Sequence, residues 1–212
     1  MSELAQTVIE TAQAMSRSGL SAGRSGNVSV RDGARVLITP TGMAYEGLKP
    51  SDIVSMALDG SVPPGSRKPS SEWHFHAAIY AARPDIGGIV HTHSNAATAL
   101  ACRGEGLPAF HYMVAAAGGR DIRCAPYATF GTQALADAAL DALVGRKACI
   151  LAHHGVIACG ASLEKAYELA WEVETLADQY IRARSLGEVP LLSDAEMDIV
   201  LEKFRSYGQQ IK

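Results

Sequence analysis

Residues 88–94 read G-I-V-H-T-H-S. With Ile86 and Gly87 before it, the segment is a short apolar run that ends in two histidines, His91 and His93. Such a run reads as a buried strand. Residues i and i+2 of a strand share a face, so both imidazoles project the same way and Thr92 the other way. Two neutral imidazoles this close can hold one divalent cation. A lone H-x-H is equally the polar end of a strand facing solvent.

A second pair changes that balance. His153-His154-Gly155 closes another apolar run, I-L-A. Consecutive strand residues face opposite sides, so only one of this pair joins the first two, and the pattern does not say which. Gly155 permits a bend or a close backbone approach. The stretch S-S-E-W-H-F-H (70–76) supplies a carboxylate. Ser70 or Ser71 caps a helix running to about Arg83, before Pro84. Glu72 falls in its first turn, where the helix dipole alone would favour it, and it is also a candidate ligand or general base. His76 lies four residues on, on the same helix face, and is a rival ligand. His74 faces elsewhere. Three neutral histidines with a carboxylate suit Zn²⁺ best.

The rest of the chain places these pieces in an α/β fold. Leu4, Val8, Ile9, Ala12 and Met15 recur at helical spacing up to Gly19. Residues 27–31 and 35–39 are β-rich and split by Asp-Gly, a hairpin signal. A strand at 53–58 precedes a Gly/Pro loop at 59–69. Helices are expected at 95–101 and 132–143. Residues 148–159 read as two strand segments broken at Gly155. Ser162 caps a long helix, and Ser193 with Glu196 forms a capping box for a last one. Strands and helices alternate without a strict βαβ rhythm. The expectation is a single α/β/α layered domain over residues 1–212, with a central mixed, largely antiparallel sheet.

Whole-chain properties narrow the partners. The 212 residues suffice for one substantial core, and 48% hydrophobic with 19% charged residues is ordinary for a soluble globular protein. A net charge of −3 without like-charge blocks argues against nucleic-acid and membrane surfaces. No apolar run approaches the roughly 20 residues of a membrane helix. The opening M-S-E-L-A-Q-T-V-I-E does not read as a secretory signal. Cys102, Cys124, Cys149 and Cys159 form no CxxC pair, which argues for reduced thiols, a cytoplasmic location and no cysteine zinc site.

An anion site is also expected. Gly-rich turns and hydroxyls at helix starts bind phosphate through backbone N–H groups. Gly23–Asn27, Thr39–Gly42 and Ser70-Ser71 are three such pieces. The last stands beside Glu72, which suggests a small phosphorylated substrate that chelates the metal at its other end.

These residues carry a specific resemblance. S-G-N-V-S-V-R, L-I-T-P-T-G-M-A-Y-E-G-L, P-S-S-E-W-H-F-H, V-H-T-H, H-Y-M-V-A-A-A-G-G, C-A-P-Y-A-T-F-G-T, H-H-G-V-I-A-C and L-E-K-F-R-S-Y-G run in order from residue 25 to 208. Together they resemble the class II aldolase/adducin family, most of all its members acting on L-fuculose 1-phosphate. The resemblance implies a homotetramer with active sites at subunit interfaces. It implies one Zn²⁺ per subunit on His91, His93 and His154, with Glu72 as a further ligand in the resting state. It thereby selects His154 over His153 and Glu72 over His76. It implies a phosphate pocket of Gly26, Asn27, Thr41, Gly42, Ser70 and Ser71. Tyr112 and Tyr207 are implied to reach a neighbouring subunit's site. Arg24 stands where a small polar residue is expected.

The implied reaction is reversible cleavage of a ketose 1-phosphate, L-fuculose 1-phosphate or a related deoxypentulose 1-phosphate, to dihydroxyacetone phosphate and an aldehyde. Glu72 would move the proton at the nucleophilic carbon, and Tyr112, assisted by Tyr207, would serve the aldehyde oxygen. A Schiff-base route needs a buried lysine, and Lys49, Lys68 and Lys147 all lie in polar surroundings. The alternatives are a sugar-phosphate 4-epimerase, a methylthioribulose-phosphate dehydratase, a decarboxylase, or a non-catalytic adducin-like binding module.

Overall fold

The computed structural model describes residues 2–206. Tyr207 lies outside the described residues. Helix α1 (Ser2–Arg17) leads into strands β1 (Asn27–Asp32), β2 (Arg35–Ile38) and β3 (Val54–Ala57). Helix α2 (Trp73–Ala82), strand β4 (Gly88–Thr92) and helix α3 (Asn95–Cys102) follow. After a 3₁₀ turn at Tyr112–Ala117 come β5 (Cys124–Ala125), α4 (Gln133–Ala142), β6 (Ala148–Leu151) and β7 (Gly155–Gly160). The chain continues through α5 (Leu163–Ser185) and α6 (Asp194–Arg205).

The strands form one sheet in the order β3-β2-β1-β4-β7-β6-β5. Every neighbouring pair is antiparallel except β5 with β6, so the sheet is mixed and largely antiparallel, as expected. The tight turn after Asp32 makes the first hairpin, and Ser193 and Glu196 form the capping box of α6.

Period-two alternation sends side chains into two separate cores. Val28, Val30, Val90, Ile150 and Val156 pack with residues of α1, α3, α5 and α6. Val36, Ile38, Ile89, Leu151 and Ile157 pack with residues of α2 and α4 on the other face. Helix α2 buries Phe75, His76, Ile79 and Tyr80, a stripe one turn apart along one side. Each fully buried aliphatic or aromatic side chain in these layers contributes roughly 1.5–3 kcal/mol.

One detail differs from the expectation. The break between β6 and β7 is a turn over residues 152–154, and Gly155 is the first residue of β7. His153 and His154 therefore sit in a turn, and strand alternation does not govern them.

Candidate metal centre

The centre lies on the α2 face of the sheet, at one end of β1 and β4. Asn27 pairs with His91 and Ser29 with Ile89 across those strands, so these four side chains share a face. His91 is fully buried. Its Nδ1 lies 2.8 Å from the carbonyl of Val156. A carbonyl only accepts, so Nδ1 carries a proton, and in the neutral ring Nε2 presents a bare lone pair. His93 follows the end of β4, held by its backbone N–H to Ser21 Oγ at 3.1 Å.

His154 arrives by a different device. His153 takes φ 56°, a left-handed conformation that is uncommon for a residue with a side chain. That turn throws the His153 ring outward, edge-on to Tyr127, and brings His154 in. Gly155 lets the turn close: a Cβ there would stand 2.2 Å from the Thr92 carbonyl oxygen and 3.0 Å from His93 Cδ2.

Glu72 stands just before α2, at φ −104° and ψ 16°, with its N–H donated to Ser70 Oγ at 3.3 Å. Its Oε2 is 3.1 Å from His91 Nε2, and its Oε1 is 3.1 Å from His154 Nε2. The Nε2 atoms of His91 and His93 stand 2.9 Å apart. One potential ligand atom from each of Glu72, His91, His93 and His154 lies within 4.8 Å of the others. Tetrahedral donors about 2 Å from an ion stand roughly 3.3 Å from one another, so the set fits a divalent cation. The electrostatics agree. Glu72 Oε1 is buried without a well-aligned hydrogen bond, and the Nε2 atoms of His91 and His93 face one another at 2.9 Å. A cation resolves both.

Burial disfavours the Glu72 carboxylate, but the facing imidazoles of His91 and His154 outweigh it and hold the carboxyl well below its usual range. Burial, and then the neighbouring His91 and His154, push His93 down to about 3. A neutral His93 is what a metal ligand requires.

His76 does not join the cluster. Burial, and then His91, push it down to about 3, and its Nε2 meets Asn27 Oδ1. His74 stacks on Trp73.

A cleft of about 350 Å³ opens onto the centre. Gly26, Asn27, Thr41, Gly42, Ser70 and Ser71 all line it, beside Glu72, His93 and His154. Arg24 lines it too and donates to the Gly42 carbonyl at 3.1 Å. Asn27 is the least free of these, since its amide is already bonded to Glu72 Oε2 at 2.9 Å. Sequence patterns assign no role to Tyr127 or Phe130, yet both line the cleft while 63% and 64% exposed. The available signal was their place in a short loop between Pro126 and Gly131; a Cβ on Gly131 would come within 2.7 Å of the Ser71 carbonyl. Tyr112 opens the 3₁₀ turn, is 51% exposed and does not line this cleft.

The model of the Class II Aldolase and Adducin N-terminal domain matches residues 6–181. A 5-methylthioribulose-1-phosphate/5-deoxyribulose-1-phosphate aldolase of Rhodospirillum rubrum is 53% identical over 201 residues, covering 95% of this chain and 90% of its own. The L-fuculose phosphate aldolase of Escherichia coli K12 is 50% identical over 211 residues, covering 99% and 98%. A solved L-fuculose 1-phosphate aldolase superposes with a TM-score of 0.93 at 43% identity, covering 97% of each chain.

Proposed function

The chain belongs to the class II aldolase and adducin family, and on that premise we propose that it is a zinc-dependent aldolase acting on a ketose 1-phosphate. The substrate is L-fuculose 1-phosphate or a related deoxypentulose 1-phosphate, and the products are dihydroxyacetone phosphate and an aldehyde. The observation that carries this reading is the convergence of His91, His93, His154 and Glu72 beside a cleft lined by backbone and hydroxyl donors.

His91, His93 and His154 would hold the cation, which supplies Lewis acidity toward the carbonyl and hydroxyl oxygens of the substrate, usually worth several kcal/mol of barrier. Ser70, Ser71, Thr41 and the backbone at Gly26 and Gly42 would bind the phosphate, with Asn27 at the inner edge and the Arg24 guanidinium at the rim. Glu72 is ionised, buried and next to the reacting end. It takes the proton at the carbon that becomes nucleophilic and returns it in the reverse direction. Tyr112 and Tyr207 serve the aldehyde oxygen of a neighbouring subunit's site. That role fits the exposure of Tyr112 away from its own cleft, and it requires a neighbouring subunit, which a homotetramer would supply.

The functional unit is one domain over residues 1–212 in the cytoplasm, with neither nucleic acid nor membrane as partner. Among the described residues no helix is long and apolar enough to cross a membrane.

A coupled assay for dihydroxyacetone phosphate release tests the proposal. The panel is L-fuculose, 5-deoxyribulose and 5-methylthioribulose 1-phosphates. Release that is abolished by a chelator and restored by Zn²⁺ is the expected result. An epimerase, dehydratase or decarboxylase would release none, a binding module would hold no metal, and activity that survives chelation but is trapped by borohydride would refute the metal route.

A further inference from the structure

Behind Glu72 runs a chain of buried polar side chains that, Asn27 apart, the reaction outlined above does not use. Asn27 Nδ2 donates to Glu72 Oε2 at 2.9 Å. Asn27 Oδ1 meets His76 Nε2 at 2.5 Å. His76 Nδ1 lies 2.7 Å from Ser29 Oγ, which lies 3.0 Å from the Tyr80 hydroxyl. Asn27, Ser29, His76 and Tyr80 are all buried, His76 completely. Around them the layer is apolar, with Phe75 stacked on the His76 ring and Ile79 and Ile89 nearby.

Donor and acceptor chemistry gives the chain one direction. The Glu72 carboxylate only accepts, so Asn27 must turn its Nδ2 toward it and its Oδ1 toward His76. Oδ1 also only accepts, so His76 Nε2 carries the hydrogen. The neutral ring has one N–H, which leaves Nδ1 bare to accept from Ser29 Oγ–H. The Ser29 hydrogen is then used on His76, so the single Tyr80 O–H is shared between Ser29 Oγ and the Ser29 carbonyl, each 3.0 Å away.

We propose that His76 is a positioning residue: through Asn27 it fixes the direction in which the Glu72 carboxylate is presented to the cleft. The inference rests on the reading of Glu72 as the proton-moving carboxylate. Without the His76 donor, the Asn27 amide can rotate by half a turn and set an oxygen against the carboxylate. A fully satisfied polar chain in low dielectric holds one arrangement and penalises that alternative.

The test combines the ring tautomer with kinetics. In metal-free protein labelled with ¹⁵N-histidine, His76 should be the Nε2-protonated tautomer. His76→Phe should lower kcat roughly ten- to a hundredfold, the worth of a hydrogen bond to a charged group, with KM within about twofold. His76→Gln should recover most of the loss, because its amide keeps the donor to Asn27 Oδ1. An Nδ1-protonated His76 in the wild type would overturn the proposal. So would a folded His76→Gln as slow as His76→Phe, or a kcat that merely tracked the folded fraction. The tautomer concerns the hydrogen-bonded chain alone, whereas a wild-type protein with no aldolase activity would sink the catalytic reading instead.

Discussion

The Nε2 atoms of His91 and His93 stand 2.9 Å apart, and the lone pair of the first points toward the second. Without a proton or a cation between them the pair is repulsive. Replacing either His93 or His154 by alanine should therefore cost both metal and turnover. The expected outcome is a metal content below about a tenth of an ion per chain and a loss in kcat/KM of roughly a hundredfold or more. Elemental analysis beside the release assay checks both.

Glu72→Gln should behave differently. The amide keeps the shape but cannot take a proton, so turnover should fall roughly 10²–10⁴-fold. The metal should remain, since three imidazoles still hold it. A variant that lost its metal as fully as His93→Ala would show that Glu72 serves chiefly as a ligand.

Ser71→Ala and Arg24→Ala probe the anion pocket. Each removes one donor or charge from the cleft and should raise KM for a ketose 1-phosphate by about tenfold, with kcat nearly unchanged. Inorganic phosphate should weaken as a competitive inhibitor by a similar factor, which is measurable without any sugar substrate.

Gly155→Ala should strain the backbone. The added Cβ would lie 2.2 Å from the Thr92 carbonyl oxygen, a rigid part of β4. The strand and turn must part, which should destabilise the protein by about 1–3 kcal/mol or more and pull His154 from its partners. Thermal unfolding and metal content should both fall.

Stability of the metal-free protein should depend on pH through His76. Its folded value of about 3 lies below the ordinary 6.5 because burial disfavours the cation. Between those values the unfolded chain binds one more proton, so His76 lowers stability as pH falls through that window, by about 1.4 kcal/mol per pH unit at most. His76→Gln lacks the group. The stability gap between wild type and variant should shift against the wild type from pH 6.5 downward, as denaturant titrations at several pH values would show.

Much of this centre was legible in the primary structure, and the gaps have physical causes. Period-two spacing placed His91 and His93 together because β4 stays a strand up to Thr92, one residue short of His93. The choice between His153 and His154 was not legible from alternation. It is made by a left-handed residue in a turn, signalled only by the glycine that follows. Glu72 and His76 read as neighbours on one helix face. They separate because Glu72 sits before the first helical residue, outside the helical repeat. The layered architecture and mixed sheet followed from short strands, a hairpin and capped helices. The strand order did not, since β4 and β7 pair across more than sixty residues of sequence that carry no mark of it. Asn27 read as part of an anion turn, and its bonds to Glu72 and His76 needed the α2 layer in place. Tyr207 falls beyond the described residues.

The Val156 carbonyl that fixes the His91 tautomer belongs to the same ladder that zips β4 to β7. Sliding those strands past each other by a single position would turn His91 into the opposite layer, beside α5, and strip it of its acceptor. A misassembled sheet could not capture the ion, and the captured ion would in turn lock the correct alignment. Loading with metal would thus double as a quality control on folding, and a chain that bound an ion here would already have proofread its own sheet.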